Sequence, residues 1–371
     1  MERHVLVADI GGTNPRLAMV RVKGLHAFEL LHVGKIDNNH PDFAGQVNEF
    51  LRVCGERGWT TDTACFAIAG PVSNNTCTAL NHAKFPVDGN ALRHQTALKN
   101  VLLINDFEAI GHGIATADLA DSRRFFPVPR SDGASAAIDP HGNRAIIGPG
   151  TGLGVAYLPR VGADFTVVAS EGGNASAPVH TAFTMALALY VAEKLGSKRI
   201  DTEALVSGTG IRHIADFLLA HPETMHAFLA NERRLHDYIR SLRLKTGDRE
   251  IREALLHDVP GTDRDAAVFV AHHARDNLVA AVAMHLFWEL FGAAAHDIAL
   301  HGIATGGLVL AGGIAAKNRD ELISGPFMHS FLAGLQPSAR DVVSRVPVFI
   351  SLDYDVSFFG CARKALLTFE R

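Results

Sequence analysis

Twice in this chain a short apolar run breaks into a glycine-rich turn and comes straight back as a second apolar run. The first instance covers residues 5–9, turns at Gly11-Gly12 and returns over 16–22. The second leaves 144–147, passes through Gly148-Pro-Gly-Thr-Gly-Leu-Gly154 and returns over 155–158. Short apolar runs bounded by turn signals predict buried strands, and a tight turn between two of them predicts a hairpin. Each hairpin leads a further α/β pattern. After the first, a strand fits 26–36. Phe43, Val47, Phe50, Leu51 and Cys54 then recur at helical spacing up to Gly55, and strands follow at 64–69 and 101–104. After the second, a strand fits 165–169, helices dominate 181–295, a glycine-rich strand and turn fill 304–314, and a strand (346–350) and a helix (359–368) close the pattern. A repeated hairpin-led unit predicts two α/β lobes with ligand-binding loops at the strand ends. A chain of 371 residues is comfortable for two domains.

Composition narrows the function classes. Hydrophobic residues make up 47% and charged residues 20%, which predicts a globular fold. A formal net charge of −4 argues against a nucleic-acid or acidic-membrane partner, either of which favours a basic face. Cys54, Cys65, Cys77 and Cys361 form no C-x-x-C pair, so neither a zinc site nor a redox pair is expected. A reduced, cytoplasmic protein is the simplest account. The first strand pattern starts almost at Met1 and leaves no room for a signal peptide. The most apolar stretch, 278–295, contains His285 and Glu289 and is short for a bilayer span, so a buried core helix is expected. Residues 119–142, rich in Pro, Gly, Ser and Asp, predict a loop or insertion.

Five motifs carry candidate chemistry. In Asp9-Ile-Gly-Gly-Thr-Asn14 the paired glycines let backbone approach a polyphosphate, Thr13 adds a hydroxyl, and Asp9 at a strand end suits Mg²⁺ held through water. A plain Asp–Gly hairpin turn explains the same residues. Four glycines and Thr151 between 148 and 154 exceed what a turn needs, and phosphate cradling accounts for them. No Gly-Lys-Ser/Thr follows, so this is not a Walker loop. Ala304-Thr-Gly-Gly-Leu-Val-Leu-Ala-Gly-Gly-Ile314 flanks a strand with glycine pairs, which suits adenosine lying on backbone or tight packing under a helix. Leu103-Ile-Asn-Asp-Phe-Glu108 ends a strand in Asn105 and Asp106; the aspartate suits a base for a sugar hydroxyl, and an Asx turn is the alternative. Ser170-Glu-Gly-Gly-Asn174 and Thr202-Glu203 supply carboxylates for vicinal sugar hydroxyls, although for Glu203 in a helical region a solvated charge is the stronger reading of the residues alone.

In this order and spacing the motifs resemble the bacterial-type glucokinase family, within the hexokinase–actin–heat-shock ATPase superfamily. The resemblance covers nearly the whole chain, and it includes 67–71 and Asn81-His82. It implies a two-lobed hexokinase-actin-like (ribonuclease H-like) α/β fold with a cleft between a small and a large domain. The small domain is expected over 1–110, completed by the C-terminal helix at 357–371, and the large domain over 111–356. It also implies an ATP-dependent kinase acting on the 6-hydroxyl of glucose with Mg²⁺. Asp106 is then the catalytic base, and Asn105, Asp106, Glu171, Asn174 and Glu203 the sugar site. Asp9, Gly11, Gly12, Thr13, Asn14, Gly150, Thr151, Gly152, Gly312 and Gly313 form the ATP site, with Asp9 toward the metal. A homodimer is the expected assembly.

Two departures bear on the choice of sugar. The family usually has His where this chain has Asn174, and the segment 175–178 looks one residue shorter. The family often has Trp where this chain has Lys84. A kinase for glucosamine or N-acetylglucosamine is therefore an alternative with the same chemistry, and a non-catalytic sugar-sensing regulator is a second. The related repressor/open-reading-frame/kinase proteins carry a cysteine-rich zinc motif; it is missing from this sequence, and no structural zinc is expected.

Overall fold

A computed structural model describes residues 3–11, 14–78, 85–231, 235, 239, 263–323, 325–334 and 336–369. They fall into two compact units. The first takes Met1–Asp121, Ala156–Ala169 and Asp353–Arg371; the second takes Ser122–Val155 and Ser170–Leu352.

The first unit is built on β1 (Arg3–Ile10), β2 (Arg16–Gly24), β3 (Ala27–Lys35), α1 (Phe43–Gly55) and β4 (Thr63–Ile68). The short pair β5 (Thr76–Cys77) and β6 (Val87–Asp88) precedes α2 (Gly89–Gln95), β7 (Asn100–Asn105) and α3 (Asp106–Thr116). The main sheet has the order β3-β2-β1-β4-β7. The leading hairpin is antiparallel, with Leu6 opposite Met19 and Asp9 opposite Arg16, whereas β1, β4 and β7 run parallel. The continuous apolar run of β1 fits a strand covered on both faces. Leu6, Ala8 and Ile10 face a cluster holding Phe43, Val47 and Phe50 of α1. Val5 and Val7 face the other way, onto Phe358, Cys361, Ala362 and Ala365 of the C-terminal helix, Val356–Phe369.

That helix also packs on α3. A Cβ on Gly360 would collide with the Ala109 carbonyl, and one on Gly113 with the Val356 carbonyl, so both glycines exist for close helix approach. The helix α3 was not expected from the sequence, which reads as a strand end followed by a new unit. Gly111 and Gly113 lower helix propensity there, and only their tertiary neighbours explain them: a Cβ on Gly111 would sit 2.6 Å from Val167.

The second unit's sheet draws on β8 (Phe125–Pro127), β9 (Arg144–Pro149), β10 (Leu153–Leu158), β13 (Val168–Ser170), β14 (Gly307–Leu310) and β15 (Val348–Ser351), while β11 (Arg160–Val161) and β12 (Asp164–Phe165) belong to the first unit. The sheet of the second unit has the order β13-β10-β9-β14-β15-β8. The pair β11–β12 stands apart as a small antiparallel ribbon turning at Gly162 (φ +62°), so the single strand expected at 165–169 is split in two. Strand β14 runs parallel to β9 and β15. The order third–second–first–fourth–fifth thus recurs from the first sheet, with β8 added at the edge. That added strand lies inside the segment read as a loop; Pro127 is tolerated because β8 is an edge strand.

Helices α4 (Ala182–Leu195), α5 (Gly208–Ala220), α6 (Pro222–Asn231), α7 (Asp263–His272), α8 (Leu278–Gly302) and α9 (Gly313–Lys317) belong to the second unit, with short helices at Arg319–Ile323, Pro326–Leu332 and Pro337–Ser344. By length and composition α8 could cross a membrane, yet 83% of its most apolar window is buried within the protein. Asn277 caps it by accepting from the Ala280 amide at 2.9 Å, and Phe287, Trp288 and Phe291 fill the core around it.

Candidate active site

In the first unit the candidate residues collect at the ends of parallel strands. Asp9 aligns beside Ala67, and Ile68 beside Asn105. The Asp9 carboxylate is half-buried and its Oδ2 accepts from Ser357 Oγ at 2.8 Å. Burial pushes its carboxyl above the ordinary value; the Ser357 bond and the Arg16 charge pull the other way. Arg16, opposite Asp9 on β2, gives Nη1 to Asp355 Oδ1 at 2.8 Å and Nη2 to the Tyr354 carbonyl at 2.7 Å. It also lies 4.6 Å over the Phe358 ring. In the turn, Asn38 Nδ2 donates to the Gly11 carbonyl at 3.3 Å, and Asn14 is exposed. Gly12 and Thr13 lie outside the described residues, as do Asn81, His82 and Lys84.

Asn105 closes β7 and caps α3. Its Oδ1 accepts from the Phe107 amide at 2.8 Å and the Glu108 amide at 3.3 Å. The cap uses the carbonyl end of the side chain; the other end is an NH₂ donor. Asp106 is the first residue of α3, and its Oδ1 accepts from the Phe107 amide at 2.9 Å. The Asx geometry weighed from the sequence is therefore present, and it fixes the orientation of the two polar side chains.

One turn further on, Glu108 accepts from Lys364 at 2.8 Å and lies 3.8 Å from His112 Nε2. Burial pushes the Glu108 carboxyl up, but the neighbouring His112 and the Lys364 ammonium outweigh it and hold the group below its ordinary value. Behind them Arg363, 1% exposed, donates to His112 Nδ1 at 2.9 Å and to both Asp164 oxygens at 2.8 and 2.7 Å. A guanidinium only donates, so His112 Nδ1 must accept and the proton resides on Nε2. Burial, together with the Lys364 and Arg363 charges, lowers the His112 pKa.

In the second unit the glycine turn between β9 and β10 is closed by Gly150 donating to the Gly152 carbonyl at 2.7 Å. The Thr151 and Gly152 amides find no acceptor among the described residues, and Gly150 and Thr151 are exposed. Two adjacent amides on a backbone with little side chain fit a phosphate group. Gly312 (φ +89°) abuts this turn: a Cβ there would be 2.9 Å from the Pro149 carbonyl. Gly313 begins α9.

Glu171, Asn174 and Glu203 come together in the same unit. Glu171 precedes a 3₁₀ turn over Gly172–Asn174; the Asn174 amide donates to the Glu171 carbonyl at 2.9 Å, and Asn174 Nδ2 lies 3.4 Å from Glu171 Oε2. The Glu203 amide donates to the Gly173 carbonyl at 2.9 Å. Gly173 is required because a Cβ would collide with the Leu153 carbonyl.

Sequence reasoning missed Ser357, Arg16 and Asp355. The run Asp353-x-Asp355-x-Ser357 just after the last strand was the available signal. It stands far from Asp9 in the chain, and only the fold joins them.

The chain has the fold of the glucokinase from an Antarctic psychrotroph (TM-score 0.72, 22% identity, 98% of this chain and 99% of that one). It also matches the fold of the Balamuthia mandrillaris glucokinase, solved in complex with glucose (TM-score 0.69, 21% identity, 98% and 93%). In sequence it is 31% identical over 361 residues to a glucokinase of Nostoc punctiforme, covering 96% of this chain and 97% of that protein. The glucokinase family model matches residues 6–367, and the chain belongs to that family.

Proposed function

We propose that this protein transfers the γ-phosphoryl group of ATP to the 6-hydroxyl of glucose, releasing ADP and glucose 6-phosphate. The family match across residues 6–367 carries this reading; it favours a glucose kinase over an amino-sugar kinase or a regulator. Asp106 accepts the O6 proton as the O6–phosphorus bond forms and the bond to the β-phosphate oxygen breaks, and it then returns the proton to solvent. Such a transfer is mostly positioning and charge stabilisation, so a base of modest pKa suffices. Asn105, Glu171, Asn174 and Glu203 hold the sugar hydroxyls. Gly150, Thr151 and Gly152 receive phosphates on backbone amides, with Gly11, Gly12, Thr13 and Asn14 doing the same from the first hairpin, and Gly312 and Gly313 bordering the nucleotide.

Mg²⁺ favours oxygen ligands, keeps several waters, and takes only one or two carboxylates beside substrate phosphates. A half-buried carboxylate at a strand end, such as Asp9, fits that donor set. When bound, the ion neutralises charge on the phosphate oxygens. All four cysteines are buried free thiols, which supports a reducing, cytoplasmic setting. The assembly we propose is a homodimer binding only small molecules, which light scattering would check.

Comparing kcat/KM for glucose, mannose, glucosamine and N-acetylglucosamine tests the choice of sugar. Glucose should lead. Asn174 is held by Glu171 and is shorter than the imidazole common in the family. A tenfold preference for an amino sugar, about 1.4 kcal/mol of transition-state binding, would overturn the choice.

A further inference from the structure

Glu203 is joined to more than the sugar side of its unit. Its Oε2 accepts from the Leu153 amide, the first residue after the glycine turn, at 2.7 Å. A Cβ built on Gly152 would stand 2.5 Å from that same oxygen. Its own amide is fixed to Gly173, within the turn that carries Glu171 and Asn174. Five residues on, the Gly208 amide donates to the Gly150 carbonyl at 2.9 Å. One short segment, 203–208, therefore ties the glycine turn to the carboxylate turn. A carboxylate offers roughly four lone-pair sites, so an oxygen engaged with Leu153 leaves the group able to accept from a sugar hydroxyl as well. The absence of a side chain at Gly152 also gains a second reason: besides opening backbone to phosphate, it makes room for this carboxylate.

From this arrangement we infer that Glu203 is a shared group that couples the two substrates. The carboxylate that accepts from glucose also holds the glycine turn in the shape that receives phosphate. Glucose then raises the affinity for ATP, because the nucleotide meets a turn already ordered, and ATP raises the affinity for glucose by the same factor. The inference rests on Glu203 being a sugar ligand, and its test separates the two.

Calorimetric titrations with glucose and with a Mg²⁺-loaded, non-hydrolysable ATP analogue provide that test, with thermal melts confirming that each variant is folded. In the native protein glucose should tighten analogue binding by a factor in the range of about 5 to 150. Gly152→Ala, although placed in the phosphate turn, should weaken glucose binding about fivefold or more with no nucleotide present, because its methyl displaces the carboxylate. Gly150→Ala is the matched comparison: its methyl meets nothing nearer than the Gly152 carbonyl at 4.0 Å, and it should act on the analogue alone. Glu203→Ala should weaken glucose and bring the coupling factor to about 1. Native-like glucose binding by Gly152→Ala, or coupling that survives Glu203→Ala, overturns the inference while leaving the sugar-ligand role intact. Unchanged glucose affinity in Glu203→Ala removes the sugar-ligand role itself. Were Gly152→Ala to melt before titration, the Glu203→Ala result decides alone.

Discussion

The two units hold their candidate residues by different means. In the first, Asp9, Asn105 and Asp106 stand where regular strands end and a helix begins, and a helix from the far end of the chain braces them from behind. Ser357 fixes Asp9, while Lys364 and Arg363 reach Glu108 and His112 on α3. In the second, the ties seen among the described residues run mainly to backbone groups, the first amide of α5 at Gly208 included. Gly150, Gly152, Gly173 and Glu203 are tied together by hydrogen bonds to backbone groups, and Gly152 and Gly173 make contacts that a Cβ would break. A site made of side chains on a braced scaffold tolerates a change of chemistry without a change of shape. A site made of interlocked backbone does not, since an added methyl moves several functional groups together.

Replacing Asp106 is the sharpest way to test the first half of that contrast. Asp106→Asn keeps the size of the side chain at the start of α3 and removes the proton acceptor. Steady-state turnover should fall by about 10²–10⁴-fold, while glucose affinity and melting temperature stay near native. A variant that retains native turnover would remove the base assignment; one that loses its fold would show that the first unit is no more tolerant than the second.

A smaller effect is expected at the brace. Ser357→Ala deprives the half-buried Asp9 carboxylate of its donor, a loss of at most about 1–3 kcal/mol. The pH dependence gives the signature. The folded pKa of Asp9 already exceeds its unfolded value, so the ionised form is a burden to the fold that grows as pH rises through that window. Removing Ser357 widens the window upward. Urea denaturation should therefore show the variant weakened at pH 7 and close to native at pH 3.5. Equal destabilisation at both pH values would mean that Ser357 contributes packing rather than a bond to the ionised carboxylate.

The smallest effect concerns His112. Its pKa is lower in the folded protein, so stability is lost as pH falls below the unfolded value of about 6.5 toward the folded one. One such proton changes stability by at most about 1.4 kcal/mol per pH unit. His112→Gln keeps an acceptor for Arg363 and should flatten that acid slope, as read from melts between pH 5 and 7. An unaltered slope would place the titration elsewhere.

What the sequence made legible follows the same division. Strands β1, β2, β4 and β7 announce themselves as apolar runs, and the repeated leading hairpin foretells the repeated strand order. Local signals also placed Asn105 and Asp106 at a strand end. They failed on α3, because Gly111 and Gly113 weaken its helical pattern for reasons that lie in Val167 and Val356. Ser357 was invisible because its partner is 348 positions away. The Glu203 contact was invisible for another reason: its partner is the Leu153 amide, and a backbone group leaves no mark on residue identity.

The position of that bracing helix has a consequence for how the protein is made. Val5, Val7, Ala18 and Cys65 lie on the sheet face that Phe358, Cys361 and Ala365 cover. Ribosomes elongate at about 5–20 residues per second, so the 348 positions separating Asp9 from Ser357 correspond to roughly 20–70 s of translation. Through that interval the apolar face of the nascent first sheet lacks its cover, and such exposed surface is what makes a partly made chain prone to aggregate, while the helices of the second unit emerge ahead of its lid.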